Sequence, residues 1–227
     1  PVPDFTRVAA PLGAPPEAPY PASAPAVYAD AAIMIDARDG RTVYEKNADD
    51  RRAVASTQKL LTALIIAEGG GLDGSLTTAS PDTWVEPTKL GFGAGERYRR
   101  RDLLTAMMVK SSNDAAEALA RDYAGSSERF AGIMNRRARM LGATSSHFVN
   151  PHGLTESGQY STARDIARIA YRAYRNRSLR RMMQLPAFSF QLESGRVKRL
   201  KATNKLLGRS SDYNGMKTGY TWASGRC

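Results

Sequence analysis

Residues 55–66 read ASTQKLLTALII, and this stretch decides the fold because it puts a lysine on the side of an apolar helix that should face the core. At about 100° per residue, Ser56, Lys59, Leu60, Ala63, Leu64 and Ala67 share one face. A bare ammonium is costly there. Taken alone, the pattern also suits a serine that caps the helix and a lysine that reaches out to solvent. Distant residues must decide between the two.

Upstream, AAIMID and RTVYEK flank a turn ending in Gly40 and predict a β-hairpin. Downstream, GGG at 69–71 stops the helix. RRDLLTAMMV and AAEALARDYA predict two more helices with KSSN at their junction, and ERFAGIMNRRARML predicts a fourth, ended by Gly142. The loop SHFVNPHGLTESGQ leads to Ser161 or Thr162 as N-cap of a helix carrying Ile166, Ile169 and Ala170. FSFQL and RVKRL predict a second hairpin before the closing NGMKTGYTWASGRC. Hairpin, helices, hairpin and strand in this order indicate an α+β fold, with helices packed on an antiparallel sheet.

Most of the 12 prolines fall in residues 1–29, a Pro/Ala-rich composition that reads as an extended leader or linker. Residues 30–227 then form one domain, and the 42% apolar content of the whole chain is enough to supply its core. No run of about 18 apolar residues predicts a membrane span. The net charge of +11, from 33 Lys and Arg against 22 Asp and Glu, suits an anionic polymer, an anionic membrane or a solvated surface. No basic patch interleaved with aromatics accompanies it, so no nucleic-acid partner is expected. One cysteine, Cys227, permits no internal disulfide, and with His147 and His152 as the only histidines a zinc site is not expected. Both histidines are read as loop-packing residues. Asp165 and Glu117 sit where caps and surface pairs occur and receive no role.

Three polar motifs occur in order: Ser56-Thr57-Gln58-Lys59, Ser111-Ser112-Asn113 and Lys217-Thr218-Gly219. An isolated S-x-x-K arises on the order of once in a few hundred residues, but order and context multiply the signal. A serine hydroxyl is a poor nucleophile until a base takes its proton. Lysine serves if burial or a second cation lowers its pKa. Lys59 stands three residues after Ser56, within reach on a helix, and Lys217 is a candidate second cation.

With these motifs, and with HFVNPHGL, YSTARDIA, TNKLL and GMKTGYT around them, the chain from about Tyr28 to Cys227 resembles the serine acyl-transferases that include penicillin-binding proteins and class A β-lactamases. Within that group it is most similar to the low-molecular-mass D-alanyl-D-alanine carboxypeptidases. The resemblance implies a β-lactamase/transpeptidase-like fold: an antiparallel sheet with packed helices and a helical subdomain. It implies Ser56 as nucleophile, Lys59 as base, Ser111 as proton relay and Asn113 as a group that orients Lys59 or the substrate. Lys217 and Thr218 would hold the substrate carboxylate, and Gly219 would let the substrate backbone approach. The N–H groups of Ser56 and Tyr220 would form the oxyanion hole. Implied partners are peptidoglycan stem peptides and covalently bound β-lactams, with no cofactor, at an extracytoplasmic site.

A D,D-endopeptidase uses the same residues and stays an alternative, as does a non-catalytic wall-binding protein. A β-lactamase is less favoured, because Ser112 replaces the aspartate of S-D-N and neither ERFAG nor TESGQ supplies the supporting glutamate. In the group it resembles, further strands and a terminal helix follow K-T-G. The chain ends eight residues after Gly219, so a catalytic domain without its C-terminal strands and without the group's membrane anchor is expected.

Overall fold

The computed structural model describes residues 26–227, so the leader reading for 1–29 falls almost wholly outside the described residues. The first hairpin forms as expected, from β1 (Ala32–Ile35) and β2 (Thr42–Lys46). Gly40, at φ 82°, takes the left-handed turn position that glycine occupies without a Cβ penalty.

Residues 55–66 are not one helix. Ala55–Gln58 form a 3-10 turn, and α1 (Lys59–Gly69) starts at the lysine. Every residue of α1 from Lys59 to Ile66 is buried, as befits a helix surrounded by protein on all sides. Around it pack α2 (Arg100–Lys110), α3 (Asn113–Ala124), α4 (Ser127–Met140), α5 (Ala163–Arg175) and α6 (Arg177–Met183). Leu61, Leu64, Ile65, Leu104, Met107, Phe130, Met134, Ile169 and Leu179 form the centre of this core. Thr162, not Ser161, caps α5, its hydroxyl accepting from Asp165 N at 3.0 Å.

The second hairpin is β5 (Ala187–Gln191) with β6 (Val197–Lys201). Two short ladders were not predicted: β3 (Ser75–Thr77) with β4 (Arg97–Arg99), and β7 (Tyr220–Thr221) with β8 (Gly225–Arg226). The antiparallel part is therefore four separate two-stranded ladders among the described residues, not one sheet carrying all the helices. The α+β class stands, with the helical core at its centre. The K-T-G motif precedes β7 and does not lie within a strand.

Candidate active site

Lys59 is the largest side chain of the fully buried core, at 0% exposure. Its Nζ lies 2.8 Å from Ser56 Oγ and 2.7 Å from Asn113 Oδ1, and it also bonds the carbonyl oxygen of His152. Asn113 Nδ2 donates to Pro87 O at 2.6 Å, which turns Oδ1 towards the lysine. Two of the three partners can therefore only accept. Nζ is placed to donate to all three; in its neutral form, with two N–H bonds and one lone pair, it would keep its protons on Asn113 and His152. In that form the lone pair faces Ser56. Ser56 Oγ makes no helix-cap bond; its other contact is His152 O at 3.4 Å. Asn113→Ala should unlock this arrangement, lowering penicillin acylation by roughly 10- to 100-fold while leaving near-native circular dichroism.

The loop over 147–154 holds these groups from below. Gln58 Nε2 donates to Asn150 O at 2.7 Å, Thr62 Oγ1 to Pro151 O at 2.7 Å, and Gly153 N to Asn150 Oδ1 at 2.8 Å. Gly153 has φ 89°, and a Cβ there would stand 2.1 Å from Ala55 O. Only glycine fits between this loop and the turn that carries Ser56. Gly153→Ala should therefore destabilise the chain by about 3 kcal/mol or more, from left-handed strain plus a backbone clash, read as a lowered midpoint in urea.

Ala55 (φ 48°) and Ser111 (φ 68°) also adopt left-handed backbone, a strained conformation for non-glycine residues that clusters at functional sites. The first precedes Ser56. The second ends α2 and turns the chain into α3, which brings Asn113 to Lys59. Ser111 Oγ has no hydrogen-bond partner among the described residues, and Ser112 Oγ is buried without one.

The third motif closes the other wall. A Cβ on Gly219 would stand 3.0 Å from both Ala55 Cβ and Ser56 N, so the glycine brings this segment against the turn that carries Ser56. Gly219 and Cys227 exchange both backbone bonds, N to O at 3.0 and 2.9 Å. The next pair, Tyr220 with Arg226, is then a non-bonded pair of the ladder, and Tyr220 N–H points away from β8. β7 packs against the 3-10 turn. Thr218 Oγ1 donates to Thr203 Oγ1 at 2.7 Å, a partner the sequence did not suggest. Lys217 is 8% exposed and donates to its neighbour Thr218 O at 2.6 Å, with two N–H bonds to spare.

Burial lowers both lysines. Lys217 is pushed down to about 7. Lys59 falls well below the usual lysine range, first from burial and then from repulsion by Lys217, against a smaller opposing pull from buried Asp114. His152 is held down to about 3 by burial and by the nearby Lys59, and its Nδ1 accepts from Leu154 N at 3.3 Å. All three bind fewer protons folded than unfolded. Stability should thus fall as pH drops from about 6.5 to 3 through His152, and should rise from about pH 7 towards 10.5 through Lys217. Each slope is at most about 1.4 kcal/mol per pH unit, measurable by urea titration across pH.

The structure thus gathers Ser56, Lys59, Asn113, Lys217, Gly219 and Tyr220 around one turn. Three contributors were missed. The His152 carbonyl anchors Lys59, although His152 was read as loop packing alone. Pro87 O orients Asn113, and Asp114 ties α3 to the preceding loop by accepting from Gly91 N at 2.9 Å. Backbone carbonyls leave no mark in sequence. Glu117 is also not a simple surface group: it accepts from Ser127 Oγ and its Oε2 lies 3.9 Å from His152 Nε2.

A helical core that buries a lysine against a serine, with a second lysine on the opposing wall, defines a site of the serine–lysine type. The D-alanyl-D-alanine carboxypeptidase family (Peptidase_S11) matches residues 19–227, and the chain belongs to that family. It is 30% identical over 204 residues to the D-alanyl-D-alanine carboxypeptidase DacF of Bacillus subtilis, covering 88% of this chain and 52% of that protein. The same identity holds over 213 residues with DacA of Escherichia coli K12, again at 88% and 52%. The chain spans about half the length of these relatives. The crystal structure of the Streptomyces K15 DD-transpeptidase superposes with a TM-score of 0.82 at 30% identity, covering 89% of this chain and 84% of that one. That of a D-alanyl-D-alanine carboxypeptidase from Mycobacterium tuberculosis H37Rv gives 0.85 at 30% identity, covering 92% and 80%.

Proposed function

We propose that the chain carries the machinery of a serine-type D-alanyl-D-alanine carboxypeptidase that trims the terminal D-alanine from peptidoglycan stem peptides. The single observation that carries this reading is the buried Lys59 amine, within hydrogen-bond distance of Ser56 Oγ and held by two groups that can only accept, Asn113 Oδ1 and the His152 carbonyl. Ser56 Oγ attacks the carbonyl of the penultimate D-alanine as Lys59 takes its proton. The oxyanion collects on the N–H groups of Ser56 and Tyr220. Collapse breaks the peptide bond, and the departing nitrogen receives the proton from Lys59 by way of the Ser111 hydroxyl. Water then hydrolyses the ester, with Lys59 again as base.

The Lys217 ammonium, with Thr218, holds the terminal carboxylate of the substrate. A penicillin acylates Ser56 by the same first step. These steps use only side chains and backbone of residues 30–227, which we read as one catalytic domain. Such a substrate places the site outside the cytoplasmic membrane.

The test is a stem pentapeptide ending in D-Ala-D-Ala, with release of free D-alanine as the readout. Release at one equivalent per peptide is expected. Cleaved muropeptide dimers without D-alanine release would instead assign an endopeptidase. A folded sample with neither product and no penicillin adduct overturns the reading.

A further inference from the structure

Just after β6, Thr203 and Asn204 of the TNKLL stretch meet the K-T-G segment, and the reaction proposed above uses neither. Thr203 N donates to Val109 O at 3.0 Å, which fixes it on the last turn of α2, close to Ser111 in the chain. Asn204 Nδ2 donates to Gly215 O at 2.9 Å, and its Oδ1 accepts from Leu206 N at 3.0 Å. Both ends of that amide are thus spent on backbone, and Asn204 pins the chain just ahead of Lys217. Thr203 is held from two sides, by the end of α2 and by the K-T-G segment.

The hydroxyls of Thr203 and Thr218 lie 2.7 Å apart, with Thr218 as the donor. A threonine hydroxyl owns one proton and two lone pairs. Thr218 therefore spends its only proton inside the pair. The proton that remains belongs to Thr203, whose Oγ1 has no other partner among the described residues. Both residues are half-buried, so the pair is open to a ligand. Beside it, Lys217 Nζ donates to Thr218 O at 2.6 Å, and as an ammonium keeps two N–H bonds free. A carboxylate can only accept. The free O–H next to the ammonium is that of Thr203, not that of Thr218.

On the reading of this wall as the carboxylate site, we propose that Thr203 is its specificity-determining residue, taking the bond from Thr218 and donating its own proton to the terminal carboxylate of the substrate. Thr218 is then a positioning residue that acts through Thr203, strengthening the outer O–H by the chain of two bonds. Lys217 supplies the charge and Thr203 the direction.

Steady-state kinetics test this with the stem pentapeptide ending in D-Ala-D-Ala and with the same peptide closed by a C-terminal amide. Thr203→Val keeps the β-branch and the backbone bond to Val109 and removes only the hydroxyl. It should raise KM for the free acid about tenfold or more, with kcat changed less than about twofold. Turnover of the amide should fall less than about threefold, because bonds to a charged acceptor are roughly twice as strong as bonds to a neutral one. Thr203→Ser restores the donor and should bring KM back to within about threefold of the native value. Thr218→Val should cost less than Thr203→Val, since Thr203 keeps its proton. The proposal is overturned if Thr203→Val weakens acid and amide alike, as a structural role would, or weakens neither. It is overturned as well if serine fails to restore KM, or if Thr218→Val costs the more. Circular dichroism checks each fold, and Thr203→Ala replaces the valine variant should that one unfold. A native chain that releases no D-alanine ends the proposed reaction and this proposal together. Release by the native chain with unchanged Thr203 variants ends this proposal alone.

Discussion

Ser56→Ala is expected to leave no covalent penicillin adduct and to lower D-alanine release by roughly 10⁴-fold or more, since the attacking atom is gone and the rest of the site cannot replace it. Folding should survive. Ser56 Oγ caps nothing and bonds only Lys59 Nζ and the His152 carbonyl, so its removal costs about 1 kcal/mol or less. Relief of the packing of polar groups around a buried amine can make the change neutral. Mass spectrometry of penicillin-treated protein, paired with a thermal melt, reads both quantities. An adduct that persists on the Ser56→Ala chain would move the nucleophile elsewhere. A lost adduct with a collapsed melt would return Ser56 to a structural role.

Lys59→Met should be nearly as damaging to the reaction, lowering acylation at pH 7 by about 10²- to 10⁴-fold, the usual worth of a positioned base. Methionine fills the same buried space without a charge to desolvate, so stability should hold or rise, less the roughly 1–3 kcal/mol from carbonyls left without a donor. Lys59→Arg separates base from cation. Guanidinium stays protonated, so this variant should be as inactive as methionine, and activity in it would remove the role of base from Lys59.

The pH profile follows from the same pair. In the proposed reaction acylation needs Lys59 neutral and Lys217 charged, and Lys59 titrates well below its usual range while Lys217 is at about 7. Activity on a substrate with a free carboxylate should therefore decline above about pH 7 as Lys217 loses its proton. Lys217→Arg should shift that decline upward. A profile flat through this region would remove Lys217 from carboxylate binding.

How much of this was legible in sequence depends on the range of the interaction. The first and second hairpins and the helices α1 to α5 follow from local periodicity, turns and caps, and the structure departs only at their edges. The missed elements, β3 with β4 and β7 with β8, are two or three residues long and exist through pairing across a distance. The helix α6, RSLRRMM, is short and rich in arginine, so its apolar face is thin until Leu179 and Met183 meet the core. The expected single sheet became separate ladders because strand pairing is settled by tertiary packing and has no local signature.

By itself the sequence determined the three motifs, their order, the family resemblance and the placing of a lysine on the inward side of α1. Those are properties of residue type and short spacing. Only the tertiary structure decided that Lys59 faces two fixed acceptors and one serine, that Gly153 and Gly219 press the turn carrying Ser56 from two sides, and that Tyr220 N–H turns away from its ladder partner. The reason is physical: a lowered lysine pKa and an aimed lone pair arise from desolvation and from carbonyls supplied by loops some thirty to ninety residues away. No local pattern in the chain encodes those distances.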